Sequence, residues 1–199
     1  MYGPGIKETQ MGKINVETCE IEGLKVITPT VFGDKRGYFM ETYNQNDFKA
    51  AGIDMVFVQD NQSSSSKGVL RGLHFQKKHA QDKLVRVIEG EVFDVAVDLR
   101  DGSPTFGKWY GVLLSAENKK QFFIPKNFAH GFLVVSDHAE FCYKCTDFYH
   151  PEDEGGIQWD DPDIGVEWPI TEDMELNLSE KDAKRDSLKD FIRNKKEGI

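Results

Sequence analysis

The sequence is poor in the features that define several large protein classes. Only three of its 199 residues are cysteine: Cys19, Cys142 and Cys145. An odd, low count argues against a small secreted disulfide scaffold. No run approaches the ~18 consecutive apolar residues of a membrane span. Basic residues are in the minority, with 25 Lys and Arg against 34 Asp and Glu and a formal net charge of −9. The basic face of a nucleic-acid binder is therefore not expected. No strand-like segment leads through Gly-x-Gly-x-x-Gly into a helix, which counts against a dinucleotide-binding βαβ unit. Residues 1–10 have neither an apolar core nor a cleavage-type site, so a cytoplasmic protein is expected. There is no internal repeat and no low-complexity tract.

Cys142 and Cys145 form Cys-x-x-Cys within FCYKCTDFY. That segment reads as a strand, where positions i and i+3 face opposite ways. The pair is a poor metal clamp or redox dithiol, and both are read as small buried hydrophobes.

What the chain does have is 14 Phe and many short apolar segments separated by turn residues. The expected strands are Leu24–Val31, Tyr38–Tyr43, Val56–Asp60, Val69–Phe75, Lys83–Glu89, Val92–Leu99, Trp109–Leu114, Gln121–Ile124, His130–Val135 and Ala139–Phe148. In VFDVAVDLR, Phe93, Val95, Val97 and Leu99 alternate with Asp94, Ala96 and Asp98, the period-2 pattern of a half-buried strand. Strands at this spacing predict an antiparallel sandwich or barrel. Helix is scarce: a short turn at Asn46–Ala51, and a C-terminal helix from Ser179 to about Lys195, where Leu188, Phe191 and Ile192 share a face. Between Tyr149 and Asn177 the chain is acidic and rich in Pro and Gly. With Trp159 and Trp168 as anchors it reads as an ordered wrap, since disordered segments are poor in aromatics. Residues 1–13 are expected to be a peripheral extension, and 14–199 a single domain.

Several polar residues in apolar context could carry chemistry. His74, in VLRGLHFQ, would share its strand face with Gly72 and Gln76, while Arg71, Leu73 and Phe75 take the other. It is either a satisfied core histidine or a base working near neutral pH. His130 lies in IPKNFAHGF, whose Pro-x-x-x-x-His resembles part of a cupin metal site. The remaining ligands are missing: Phe75 and Gln76 follow His74, and Lys83 stands where a carboxylate would be needed. No metal is expected. Lys83 is either a solvated strand-start charge or a cation for a developing oxyanion. Tyr143 is either a core aromatic or a proton donor. Asp182 follows Ser179 in a helix-capping pattern, and could instead brace His74 as the carboxylate does in a triad. Asp34, Arg36, Glu41, Gln59, Asp60, Asn61 and Arg71 are individually unremarkable. Arginines gathered at one mouth could hold a diphosphate.

These residues lie within longer segments: VFGDKRGYFMETYN, FVQDNQS, VLRGLHFQ, AQDKLVRVIEGEVFDVAVDLR, SPTFGKWYGVLLSAENKKQFFIPKNFAHGF, AEFCYKCTDFYHPEDEGGIQWDDPDIGVEWP and LSEKDA. Together they resemble, in family order from about Val31 to Ala183, the dTDP-4-dehydrorhamnose 3,5-epimerases (RmlC family) of the cupin superfamily. The resemblance implies a mainly β, cupin-type jelly-roll barrel with a short C-terminal helix. It implies a dTDP-linked 4-keto-6-deoxy sugar as substrate, no cofactor and a homodimer. It makes His74 the base, Asp182 its partner, Tyr143 the proton donor and Lys83 the enolate-stabilising cation. Arg36, Glu41, Gln59, Asp60, Asn61, Arg71, His130, Glu154 and Lys181 match substrate-binding positions, and Tyr149 the aromatic that stacks on thymine. A one-centre epimerase or ketoisomerase, a metal-dependent cupin oxygenase and a non-catalytic binding module are the alternative readings.

Overall fold

The computed structural model describes residues 8–197. The strands are β1 (Glu8–Met11), β2 (Ile14–Thr18), β3 (Lys25–Pro29), β4 (Val31–Asp34), β5 (Gly37–Met40), β6 (Gln59–Ser66), β7 (Leu70–Gln76), β8 (Lys83–Glu89), β9 (Glu91–Asp98), β10 (Trp109–Ser115), β11 (Gln121–Ile124), β12 (Phe128–Val134), β13 (His138–Cys145) and β14 (Glu154–Gly156). Two helices, α1 (Gln45–Ala50) and α2 (Leu188–Glu197), complete the set. None is long and apolar enough to cross a membrane.

Seven strands form one sheet in the order β1-β2-β3-β11-β8-β13-β6, and five form a second in the order β10-β9-β12-β7-β14. The sheets face each other as two layers of the expected jelly roll rather than closing into one ring. Val85, Phe122 and Phe141 of the first meet Val92, Ala96 and Phe132 of the second in the central core.

The β9 alternation is real, but its meaning differs from the sequence reading. Val92 and Ala96 point into the core between the sheets, and Val95, Val97 and Leu99 point outward. The outward face is not solvated, because Ile157, Ile164, Leu188 and Trp168 cover it. The ordered wrap and α2 therefore make β9 buried on both faces. Asp94 and Asp98 are both 0% exposed and share the strand with these apolar residues. Asp98 accepts bonds from Arg100, Ser103 and Thr105. Burial alone would raise its carboxyl, but those bonds hold it well below the ordinary range. Trp168 packs edge-on against Phe93 and donates to the Trp159 carbonyl, so both tryptophans lie within the wrap.

Other boundaries moved for identifiable reasons. Part of the expected peripheral extension is an edge strand: β1 pairs with β2, while residues 1–7 lie outside the described residues. The expected strand Leu24–Val31 divides at Thr30, leaving β3 in the sheet and turning β4 out into a separate hairpin with β5. The expected C-terminal helix is interrupted. Ser179 accepts from the Asp182 N–H at the start of a single 3-10 turn (Asp182–Lys184), and Ser187 accepts from Asp190 to start α2 afresh. Two capping serines thus divide what periodicity alone makes continuous.

Candidate functional site

A cavity of about 460 Å³ opens between the two sheets. From the five-stranded sheet, His74 (β7), Arg71 (β7) and His130 (β12) line it; from the seven-stranded sheet come Lys83 (β8), Tyr143 (β13) and Asn61 (β6). A neighbouring space of about 400 Å³ also meets Arg71 and His74, and is walled by Glu154, Lys181, Asp182 and Arg185.

Strand alternation assigned Arg71 and His74 to opposite faces, yet both line the cavity. The β7–β12 ladder explains this. His130 pairs with His74 but Phe132 pairs with Arg71, so three steps on β7 match two on β12. The extra residue is a β-bulge, which re-aims the side chains beyond it. Gly72 occupies it at φ +128, and a Cβ there would lie 2.5 Å from the Gly131 Cα. Only glycine tolerates that backbone and that approach.

The His74 Nε2 lies 2.5 Å from Asp182 Oδ1, across 108 residues of sequence. An ionised carboxylate only accepts, so Nε2 carries the hydrogen, and in the neutral ring the lone pair is on Nδ1. Asp182 is buried at 5% exposure. Burial alone would raise its carboxyl, but the His74 bond and charge, the Ser179 bond and the Arg185 guanidinium bring it below the ordinary range. Capping and bracing are thus divided: Ser179 caps the Asp182 backbone, and the Asp182 side chain serves His74.

On the facing wall, burial raises the Tyr143 phenol from its ordinary value, with Cys145 adding to the effect and Arg71 opposing it. Tyr143 therefore keeps its proton at neutral pH. Burial presses the Lys83 ammonium down, against the opposing influence of Cys145, Asp94 and Glu154. His130 shares its Nε2 with both Asp94 oxygens at 3.0 Å. Burial drives His130 down and Asp94 up, each towards its uncharged form, while their mutual attraction opposes both shifts.

At the rim, Glu154 gathers three partners: the Tyr149 hydroxyl at 2.7 Å, the Lys181 ammonium at 2.8 Å and the Arg185 guanidinium. Burial alone would raise the Glu154 carboxyl; these partners instead hold it at about 2. The Gln59 amide donates to Asn61 Oδ1 and its oxygen accepts from the Tyr149 N–H, so Gln59 supports the rim from behind.

Of the remaining expected site residues, Asp60 borders the cavity, while Arg36 and Glu41 stand apart from it. Asn61 pairs directly with Tyr143 and Asp60 with Lys144, so the Asp60 and Asn61 side chains take opposite faces. The Asp60 carboxylate is held by Lys144 at 2.7 Å, leaving Asp60 on the rim. Arg36 and Glu41 lie in or just after the β4–β5 hairpin and do not line the cavity of their own chain. Arg36 pairs with Asp34, and Glu41 with Lys13 and Asn44.

Two residues in the site escaped the sequence reading. Asp94 was masked by the alternation, which put it on the polar face opposite Phe93 and Val95; that face, with Val92 and Ala96, is the one turned to the core. Arg185 carried no signal, since a charged residue near a helix start looks like surface. Of the cysteine pair, Cys145 is buried and raised to about 11 by burial, and Cys142 is half-buried and also raised by burial. Among the described residues, no group of three or more His, Cys, Asp or Glu is placed to hold a metal ion.

Comparison with known proteins places the chain in a family. Residues 18–190 match the family model described as dTDP-4-dehydrorhamnose 3,5-epimerase. A protein of that name from Escherichia coli (strain K12) is 56% identical over 184 residues, covering 92% of this chain and 98% of its own. One from Methanothermobacter thermautotrophicus is 56% identical over 172 residues, covering 86% and 93%. The crystal structure of the dTDP-6-deoxy-D-glucose-3,5-epimerase of Legionella pneumophila Philadelphia 1, in complex with dTDP-4-keto-L-rhamnose, superposes with a TM-score of 0.86 at 54% identity, covering 88% of this chain and 93% of that one. The chain belongs to the dTDP-4-dehydrorhamnose 3,5-epimerase family.

Proposed function

We propose that this chain converts dTDP-4-dehydro-6-deoxy-D-glucose to dTDP-4-dehydro-L-rhamnose by inverting C3 and C5 in turn. The observation that carries the reading is one cavity with a carboxylate-braced imidazole on one sheet and a protonated phenol on the other. A C–H beside a ketone is acidic because its electron pair can move onto the carbonyl oxygen. His74 Nδ1 takes that proton, the pair shifts to give a C4 enolate, and the Lys83 ammonium offsets the new charge. The enolate then collapses back to the ketone as its carbon takes a proton from Tyr143 on the opposite face. Solvent returns a proton to the phenolate and takes the one held by His74, resetting both groups before the second centre reacts. The ketone is already present, so the sequence needs no hydride carrier.

Incubating the protein with the dTDP-4-keto sugar in D₂O tests this directly. NMR should find deuterium at both C3 and C5 of an L-configured product. Label at one carbon alone would make the chain a one-centre epimerase.

The working form we propose is a cytoplasmic homodimer. The β4–β5 hairpin exposes Phe32 at 50%, Tyr38 at 59% and Phe39 at 63%. Exposed apolar area of this kind is covered in a stable assembly. The same arm holds Arg36 in its turn, with Glu41 just beyond it, both remote from their own cavity. Crossing to the second copy would bring Arg36 and Glu41 of the partner subunit to the nucleotide end of the site. The double variant Phe32→Ser/Phe39→Ser is expected to scatter light as a single 22.7 kDa chain. Its KM should rise about tenfold for want of a charge-assisted phosphate contact. A double variant that remains dimeric with unchanged KM would refute the arm exchange.

A further inference from the structure

Arg185 is the charged residue at the site for which neither the motifs nor the reaction has yet given a reason. Its side chain is 9% exposed. One end of the guanidinium, Nη2, is bonded to Glu154 Oε1. Its Nε lies 3.7 Å from Asp182 Oδ1, the same oxygen that holds His74. That exceeds a hydrogen-bond length, and Nε has no hydrogen-bond acceptor. The link to Asp182 is therefore one of charge. The space for Arg185 is supplied by a glycine. Gly156 stands directly opposite His74 in the β14–β7 ladder. A Cβ on Gly156 would come within 2.6 Å of Arg185 Nε and 2.7 Å of its Cδ. A single cation is thus threaded beneath the base, between the carboxylate that braces His74 and the carboxylate that holds Tyr149 and Lys181.

We infer that Arg185 is a positioning residue that holds Asp182 and Glu154 in place and offsets the negative charge they present to His74. The inference rests on His74 being the base. His74 faces Asp182 from the 3-10 turn, Glu154 from β14, Arg71 from its own strand, Lys83 from β8, His130 from β12 and Tyr143 from β13. Without Arg185, Asp182 would lose the cation beside it and Glu154 would keep only Lys181 as a cation, so more negative charge would act on the imidazolium and hold its proton in place. A protonated imidazole cannot start the reaction. The acid limb of the kcat/KM profile must then move to higher pH, and the loss must vanish on the alkaline side. The sign is opposite for loss of a simple substrate contact, which lowers kcat/KM at every pH.

The test measures kcat/KM against pH for the wild-type protein, Arg185→Gln and Arg185→Lys, with His74→Asn as the reference for the base. Arg185→Gln should move the acid limb up by about one pH unit, equivalent to about tenfold at a pH well below the limb. Arg185→Lys, which keeps the charge, should leave the limb close to the wild-type position. An unmoved limb in a folded Arg185→Gln protein overturns the inference, while loss of exchange in His74→Asn would still leave the base in place. Exchange that survives His74→Asn overturns the underlying reading instead. Should Arg185→Gln fail to fold, Arg185→Met, with a similar stem, replaces it. Unfolding of both would mark the arginine as a structural ion pair and overturn the inference.

Discussion

Replacing His74 with Asn is expected to abolish deuterium incorporation at both carbons flanking the ketone, while the protein stays folded. A positioned base contributes about 10²–10⁴-fold, so kcat should fall by about that factor, the slower half-reaction setting the rate. Asn is the informative substitute because it removes the basic ring and leaves an amide donor near the buried Asp182 carboxylate. That amide reaches the Nδ1 position and not Nε2, so the 2.5 Å contact itself is lost together with the lone pair. His74 has a third of its side chain exposed, so no core cavity opens and stability should change by less than about 1 kcal/mol. Alanine would confuse the result, since it strands a 5% exposed carboxylate without its partner. Circular dichroism establishes the fold, and proton NMR in D₂O reads the exchange. Deuterium appearing at C3 or C5 at a rate within tenfold of wild type would remove His74 as the base.

That experiment concerns a pair that alternation could suggest but not assemble. The apolar segments Lys83–Glu89 and Gln121–Ile124 were legible because their side chains pack on dry cores, Val85, Val87, Phe122 and Ile124 on one and Leu84 and Phe123 on another. The strand Gln59–Ser66 was not, because all eight of its residues are polar. It is an edge strand, held by its ladder to β13 alone, and backbone pairing leaves no hydrophobic pattern in sequence. The same limit applies at the site. Arg71 and His74 are three apart on a strand, so local rules separate them; a bulge created by pairing with β12 reunites them. His74 and Asp182 are 108 residues apart, and only the wrap from Tyr149 to Asn177 brings the second back to the first. Their association was read from the family resemblance, not from spacing. Asp94 was assigned to the polar face by alternation, and only the packing of the two sheets shows that face to be buried. Arg185 could not be found either, because its burial depends on a glycine at position 156 that leaves no trace in periodicity.

Tyr143→Phe should separate the two halves of the reaction. The phenol sits on β13 of the seven-stranded sheet, across the cavity from His74 on β7. Burial keeps its proton bound at neutral pH, so it can deliver one to a carbanionic carbon. With Phe in its place, His74 still removes the substrate proton and Lys83 still faces the enolate oxygen. The nearest donor is then His74 itself, which exchanges its proton with D₂O and returns deuterium to the same face. The variant should therefore incorporate deuterium at C5 within about tenfold of the wild-type rate, while turnover to the L-configured product falls about 10²–10⁴-fold. Loss of one half-buried hydroxyl should cost the fold about 1 kcal/mol at most. Exchange and inversion are measured in one sample, deuterium by NMR intensity and configuration by the ring coupling constants. If inversion keeps pace with exchange, the proton reaches the far face from another donor, and the opposed-wall arrangement is not what sets the stereochemistry. If exchange also stops, the phenol is needed before the enolate forms, which would move Tyr143 from the second proton transfer to the first.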